Sequence, residues 1–424
     1  MLAAWIIAGC AALGQAAPGG EANLSSTVRL LVEQLDAAEK SRRDEAEEKL
    51  LKLGPAALQL LPPRDDRLPA EVNLRVARVR LQLERSQADA SVEASTVTLS
   101  GKLPLADVIA AISKQTGNKL VDFRPQFGEE VRNVDVTVNF NNTPFWQVLD
   151  QVFDQANLTI YNFAGEEGIS FVGRSPSMLP RFRRASYAGA FRIEGTDFTA
   201  HRDLRDPASH TLQLNLEAAW EPRLKPIIIA QPANSIVATD ENGKPLPLAG
   251  SGEELEINVN PGAYSVEIPI HFALPDRSVK RVAKLKGKLA AVLPGRSEDF
   301  RFTNLEKAKK VEQRQAGVTV VLEEVWKNNA VWEVRVRVVF DKAGNALESH
   351  RNWIFNNEAW LEAPDKEKLA FAGMETTRQG ENEVGVSYLF GVPEGLAGYT
   401  FVYRTPVSIN PVPVEFELKD IDLP

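Results

Sequence analysis

Val97-Thr98-Leu99, followed by Leu103-Pro104-Leu105-Ala106-Asp107-Val108-Ile109-Ala110-Ala111-Ile112, reads as a strand, a turn and a helix opened by proline. The same order returns in Val136-Thr137-Val138-Asn139-Phe140 and Thr143-Pro144-Phe145-Trp146-Gln147-Val148-Leu149-Asp150-Gln151-Val152. Aligning the two sets Pro104 against Pro144, Val108 against Val148 and Ile112 against Val152. Proline suits a helix start, where its missing N–H has no intrahelical partner and its fixed φ is already helical. Pro104 and Pro144 are therefore expected to open two equivalent helices. Ser113-Lys114-Gln115-Thr116-Gly117 closes the first with glycine where a C-cap belongs, and Lys119-Leu120-Val121-Asp122 returns as a strand. Beyond the second helix, Ala156 to Tyr161 and Gly168 to Val172 read as strands joined at Ala164-Gly165-Glu166-Glu167. This order predicts one small βαββαββ domain over 96–174, made of two strand-helix halves.

The chain has 424 residues, too many for one typical core, so several domains are expected. Hydrophobic residues at 44% and charged residues at 25% exclude wholesale disorder. A net charge of -8 argues against nucleic acid as a partner, because phosphate binding needs a concentrated basic surface. The one cysteine, Cys10, lies in an apolar stretch, Leu2 to Leu13, that fits a signal h-region and is too short to span a bilayer. Residues 1–17 are read as a signal peptide. Two processing routes fit: cleavage after Ala16 or Ala17, or lipidation of Cys10, since Ile7-Ala8-Gly9-Cys10 resembles a bacterial lipobox. No later run approaches the length of a membrane-spanning helix, so the expected product is exported, periplasmic or held at the envelope by a lipid anchor.

Pro18 to Glu21 reads as a short linker, and 22–88 as a charged helical segment. Ser41-Arg42-Arg43-Asp44 fits a capping box, and the helix after it runs to a stop at Gly54-Pro55. Pro62-Pro63 breaks a short second helix, and Pro69 opens a third. The spacing Arg43, Ala46, Leu50, Leu53, Gly54, Ala57, Leu58 resembles a HEAT-type helical repeat; a plain α-hairpin accounts for the same residues equally well. Ser86 to Ser95 reads as a linker into the α/β domain.

That domain carries Leu103, Leu105, Val108, Ile109, Ile112, Thr116, Gly117, Leu149, Leu158 and Ile169 in the order strand, Leu-Pro-Leu, helix ending Gln-Thr-Gly, strand, second strand-helix and hairpin. On those residues 96–174 resembles the secretin and TonB short N-terminal domain. The resemblance implies a periplasmic domain that passes contacts between partner proteins and has no catalytic residue. Neither a secretin pore nor a long barrel with aromatic girdles is legible further along, so it is confined to this domain.

From Ala185 onward the periodicity is two. Thr211 to Trp220, Glu254 to Val259 and Tyr264 to Ile270 alternate, with turns at Asp240-Glu241-Asn242-Gly243 and Asn260-Pro261-Gly262. A first β-sandwich is expected over 185–304. Leu305 to Gln315 is so charged that it reads as an interdomain break, and a second sandwich is expected over 316–424. In it Trp332, Val334, Val336, Val338 and Phe340 share one face of a strand, and Glu333, Arg335 and Arg337 the other. The predicted fold class is multidomain α+β: a helical segment, a small βαββαββ domain, and two antiparallel β-sandwiches of Ig-like type.

Chemistry is hard to find in this sequence. His201, His210, His271 and His350 are scattered, and no pair has metal-ligand spacing. No nucleophile elbow, Gly-rich phosphate loop or complete calcium loop is present, so no catalytic, cofactor or metal residue is assigned, and the chain is not expected to be an enzyme. Glu253-Glu254 and Glu323-Glu324 read as ordinary loop and strand charges. Two surfaces remain. Trp353, Asn356, Asn357 and Trp360 combine rings and amides as a sugar platform would, although large aromatics more often fill a core. Arg181, Arg183 and Arg184 form the one tight basic cluster, a solvated linker or a contact for an acidic partner or lipid headgroup. The expected function is an exported, non-catalytic interaction or scaffold protein with an envelope protein as partner; the alternative is carbohydrate or peptidoglycan binding by the C-terminal sandwich.

Overall fold

A computed structural model describes residues 18–424 except 64–66, 130, 132, 163–167, 207–209, 250–253, 316, 330, 341–351, 381–382 and 394, and gives only the backbone of 18–22, 340, 352 and 353. The signal segment with Cys10, the turn Ala164 to Glu167, Glu253 and His350 lie outside the described residues. The chain is mixed α+β and divides into two compact units, 1–87 and 88–424.

The first unit is helical. Helix α1 (Pro18–Gln34) takes up the expected linker at Pro18 to Glu21, and α2 (Lys40–Lys52) and a 3-10 turn (Pro55–Leu60) follow. Leu31, Leu35, Ala46, Leu50, Ala57, Val72, Val76, Val79 and Leu83 close its core. The capping box is corrected: α2 starts at Lys40 after Glu39, and no side chain caps it, so Ser41 already lies inside the helix. Gly54 ends it as expected, at a φ of 72° that favours glycine. Helix α3 (Ala70–Ser91) runs through most of the predicted linker, because Ala, Glu and Gln at 84–90 are strong helix formers.

The α/β domain holds β1 (Thr96–Pro104), α4 (Leu105–Thr116), β2 (Leu120–Asp122), β3 (Asp135–Pro144), α5 (Phe145–Ala156), β4 (Leu158–Ile160) and β5 (Ile169–Gly173). Its two halves match in detail. Pro104 and Pro144 are both N-caps, with φ/ψ of -57°/138° and -56°/140°. The first helical N–H groups, of Leu105 and Phe145, each donate to a carbonyl just before the partner strand, Val134 and Ser95, at 2.8 Å. Gln115 holds the backbone of Thr98 through both amide atoms, and Gln155 holds Thr137 in the same way. Left-handed Gly117 and Asn157 end the helices. β1 and β3 pair antiparallel, while β5 pairs with β2 parallel and with β4 antiparallel. Val97, Val138, Leu105, Ile112, Val148, Val152, Leu158 and Ile169 share one core.

The sandwiches follow as β6 (Ser186–Ala188), β7 (Phe191–Arg202), β8 (His210–Trp220), β9 (Ile228–Gln231), β10 (Ile236–Asp240), β11 (Pro245–Leu246), β12 (Leu255–Asn258), β13 (Ser265–Ala273) and β14 (Arg281–Pro294). Then come β15 (Ser297–Phe302), β16 (Lys309–Gln315), β17 (Val318–Asn328), β18 (Val331–Phe340), β19 (Ala359–Glu362), β20 (Lys368–Ala370), β21 (Gly373–Gln379), β22 (Glu383–Phe390), β23 (Thr400–Pro406) and β24 (Ile409–Asp422). The first sandwich packs the sheet β13-β8-β7-β6 on the sheet β11-β10-β14-β9-β12, with β24 on the free edge of β14. The second packs β15-β23-β19-β20 on β16-β17-β18-β22-β21.

Both predicted sandwich boundaries are corrected by these pairings. The last strand, β24, belongs to the first sandwich, where Val414, Phe416 and Leu418 enter its core. β15 belongs to the second, paired with β23. The charged break at Leu305 to Gln315 is a short 3-10 turn and the edge strand β16, whose exposed face tolerates the charge. The second sandwich is thus inserted between two neighbouring strands of the first. One register runs through the join: Arg281 stands opposite Asp422, Pro294 opposite Ile409, Ser297 opposite Pro406 and Phe302 opposite Phe401. Backbone bonds from Gly295 to Ser408 and from Val407 to Arg296 carry the ladder across. The sheet containing β14 also serves both cores, since successive residues of a strand face opposite sides. Ile229, Leu289 and Ala291 point into the first core, Ile228, Ala230 and Val292 into the second.

Candidate functional site

The largest concentration of buried charge lies where the α/β domain meets the first sandwich. Helix α5 buries residues nearly all round, and Asp150 shares the stripe Trp146, Leu149, Phe153. On β7, Phe191, Arg192, Ile193 and Glu194 are buried in succession. Arg192 is wholly buried; its Nε donates to Asp150 Oδ2 at 2.8 Å and its Nη2 to Glu194 Oε2 at 2.7 Å. Tyr187 donates its hydroxyl to Asp150 at 2.6 Å. Arg181 pairs with Glu194 and, at 3.1 Å, with Glu217 Oε1, while Asn162 donates to the other Glu217 oxygen at 2.9 Å. Burial, then the charge of Asp150, pushes the Tyr187 hydroxyl well above the usual phenol range. Burial, then the neighbouring Arg192 charge, lowers the Arg181 guanidinium, which stays protonated as guanidinium groups in proteins do.

A second cluster closes the other end of the seam. Glu221, wholly buried, accepts from Ser95 N at 2.8 Å, Ser95 Oγ at 2.5 Å, Asn118 Nδ2 at 2.9 Å and Arg223 Nε at 2.7 Å. Arg223 in turn donates to the carbonyls of Ser91 and Glu93. Between the clusters, Trp146 Nε1 donates to Ala190 O at 3.0 Å, and Ala219 and Tyr264 of the sandwich join the α/β core. Gly189 is required here: its φ is 58°, and a Cβ at this position would come within 2.3 Å of Val92 O. These contacts hold the α/β domain and the first sandwich in one orientation.

The basic cluster is therefore split. Arg181 is internal to the seam, so it is not a surface contact; Arg183, in a left-handed conformation over the Phe182 ring, and Arg184 are exposed. The tryptophan platform is not assembled from the described residues. Trp360 is 5% exposed and lies against Lys368 Nζ at 4.1 Å and the Arg404 guanidinium at 5.2 Å. Asn357 donates to Tyr403 Oη at 2.8 Å and Thr405 Oγ1 at 2.9 Å inside the second sandwich. The Trp353 side chain lies outside the described residues, and Asn356 is exposed. Asp240 makes a turn, its Oδ1 accepting from Asn242 and Lys244 N at 2.8 Å.

Bordering the seam, where the Tyr264 hydroxyl donates to Tyr161 O at 3.3 Å, the α/β domain shows an aromatic cluster. Phe123 stacks on Tyr161 at 5.4 Å, and Phe127 meets both edge-on, at 5.8 and 5.3 Å. Phe127 is 54% exposed, and Val131 and Val134 are exposed after it. Sequence reading missed both features. A carboxylate within the apolar stripe of α5 and an Arg-x-Glu among buried strand residues were the available signals for the seam. No helix among the described residues is long and apolar enough to cross a membrane. No family model, curated protein or solved structure matches the chain.

Proposed function

We propose that this chain is an exported, non-catalytic interaction protein of a cell envelope, in which a domain resembling the secretin and TonB short N-terminal domain presents a contact surface from a rigid β-scaffold. The observation that carries this reading is the charged seam. Buried Arg192 and Glu221 tie the α/β domain to the first sandwich, so a force or partner acting on one is felt by the other without a flexible hinge. The buried carboxylates of the seam accept structural donors, in keeping with a scaffold. The partner surface is the exposed Phe127, with Val131 and Val134, since large exposed apolar side chains grouped on one domain mark contact sites.

The test is affinity capture with the full chain from the envelope fraction of its source cell. Phe127→Asn is expected to abolish retention of a specific partner while leaving the melting temperature unchanged. Leu204→Asn, at a more exposed apolar residue on another domain, is expected to keep it. Equal capture by Phe127→Asn, or no partner retained by the unmodified chain, would overturn the reading.

A further inference from the structure

A groove of about 480 Å³ lies between the two sandwiches, lined by Asn258, Asn260, Phe355, Asn356, Met374, Glu375, Thr376, Gln379 and Val386. Its walls are two sheet edges. β12, which ends at Asn258, is the last strand of the sheet carrying β14, and β21 is the last strand of the second sandwich's larger sheet. The 3-10 turn Asn352–Asn356 brings Phe355 and Asn356 between them, and buried Val386 lies at the bottom.

We propose that this groove binds a short neutral glycan. Asn260, Asn356 and Gln379 each present a donor and an acceptor on one planar amide, and Thr376 adds a hydroxyl. Sugar hydroxyls also donate and accept at once, so amides match them where a purely basic or acidic lining would not. Phe355 and Met374 supply apolar surface for the C–H face of a pyranose. The volume lies in the range of small-ligand pockets. Among the described residues of this lining there is no Lys or Arg, and Glu375 adds a negative charge, which disfavours phosphates, sulfates and uronates. An added peptide strand is a poorer occupant. β21 is bulged between Thr376 and Arg378, and a bulge breaks the regular row of backbone donors that strand addition needs. Among the described residues, Asn356 is the one this groove shares with the platform read from sequence. The site uses none of the residues of the Phe127 surface, so the two readings stand or fall separately.

Calorimetric titration of the full chain tests the proposal, with the disaccharide of N-acetylglucosamine and cellobiose as neutral probes and a glucuronate-containing disaccharide as the acidic one. Saturable binding of at least one neutral disaccharide at millimolar concentration or below is expected, with the acidic probe excluded. Asn356→Ala and Thr376→Val should each weaken that binding about five- to tenfold, with unchanged melting, as loss of one hydrogen bond does. Glu375→Gln should hold neutral binding within about twofold and admit the acidic probe. Absence of saturable binding by both neutral probes, equal binding of the acidic probe by the unmodified chain, or indifference to Asn356→Ala and Thr376→Val would overturn it.

Discussion

Replacing Arg192 with methionine keeps most of its aliphatic bulk and removes the guanidinium from between Asp150 and Glu194. The five charged groups of the seam, Arg181 and Arg192 against Asp150, Glu194 and Glu217, then pass from a net of -1 to -2. Removing one partner of a buried ion pair costs about 3–5 kcal/mol, because the other charge is left without compensation. Asp150 keeps the Tyr187 hydroxyl and Glu194 keeps Arg181, so the lower end, about 3 kcal/mol, is expected here. A chain of several domains does not unfold in one step, and global melting would blur the effect. The sharper assay is native-state hydrogen exchange of the amides that bond across the seam, Ala190 to Val92 O at 2.7 Å and Ser95 to Glu221 Oε1 at 2.8 Å, which are protected while the seam is closed. Their exchange should accelerate about a hundredfold when reclosing is fast relative to chemical exchange. Combining Arg192→Met with Asp150→Leu and Tyr187→Phe removes donors and acceptors together, and should restore most of the protection. Exchange within about threefold of the unmodified chain, or a triple variant as labile as the single one, would refute the structural role given to the seam.

Truncation after Ser408 removes β24, stripping Val414, Phe416 and Leu418 from the first sandwich and leaving one edge of β14 bare. The shortened chain is expected to bind a hydrophobic dye and aggregate on size exclusion, although the cut falls outside the second sandwich; a well-folded monomer would contradict the pairing. Glu362 supplies the pH dependence. Hydrogen bonds from Arg301 and then Lys366 hold its carboxyl at about 2, below its ordinary 4.5. A depressed carboxyl contributes stability that is complete above the ordinary value and is lost as pH falls through the folded one, so this contribution fades between 4.5 and about 2. Carbon-detected titration of Glu362 should show that low midpoint, and Arg301→Gln should raise it; a midpoint near 4.5 in the unmodified chain would contradict it.

What was legible in the sequence was local. Pro104, Pro144, Gly117 and the alternation around Val336 act through their own backbone conformation or their own strand, and each occupies the expected place. Partner choice was not legible. A period of two says which residues of β24 face inward and nothing about which strand they lie beside. Lys309 to Gln315 misled for a related reason: charge density marks exposure, and an edge strand is as exposed as a linker. The seam was hidden because Asp150 and Arg192 belong to different domains in sequence, and only their meeting turns two ordinary surface residue types into a buried pair.

The uninterrupted ladder from Arg281 to Phe302 bears directly on the groove. Two separate sandwiches on a flexible linker would present β12 and β21 at variable separation, and a ligand would have to fix that separation at its own expense. Here both crossings between the sandwiches are strands of one ladder, in constant register, and the join is tight: a Cβ on Gly295 would meet Ser408 Oγ at 2.0 Å. Ile228, Ala230 and Val292 of the shared sheet also pack into the second core, so rotation about the join would tear apolar contacts on one face. The two edges are therefore held at a set distance before any ligand arrives. Preorganisation of that kind allows a shallow polar groove to bind a ligand that offers only a few hydrogen bonds.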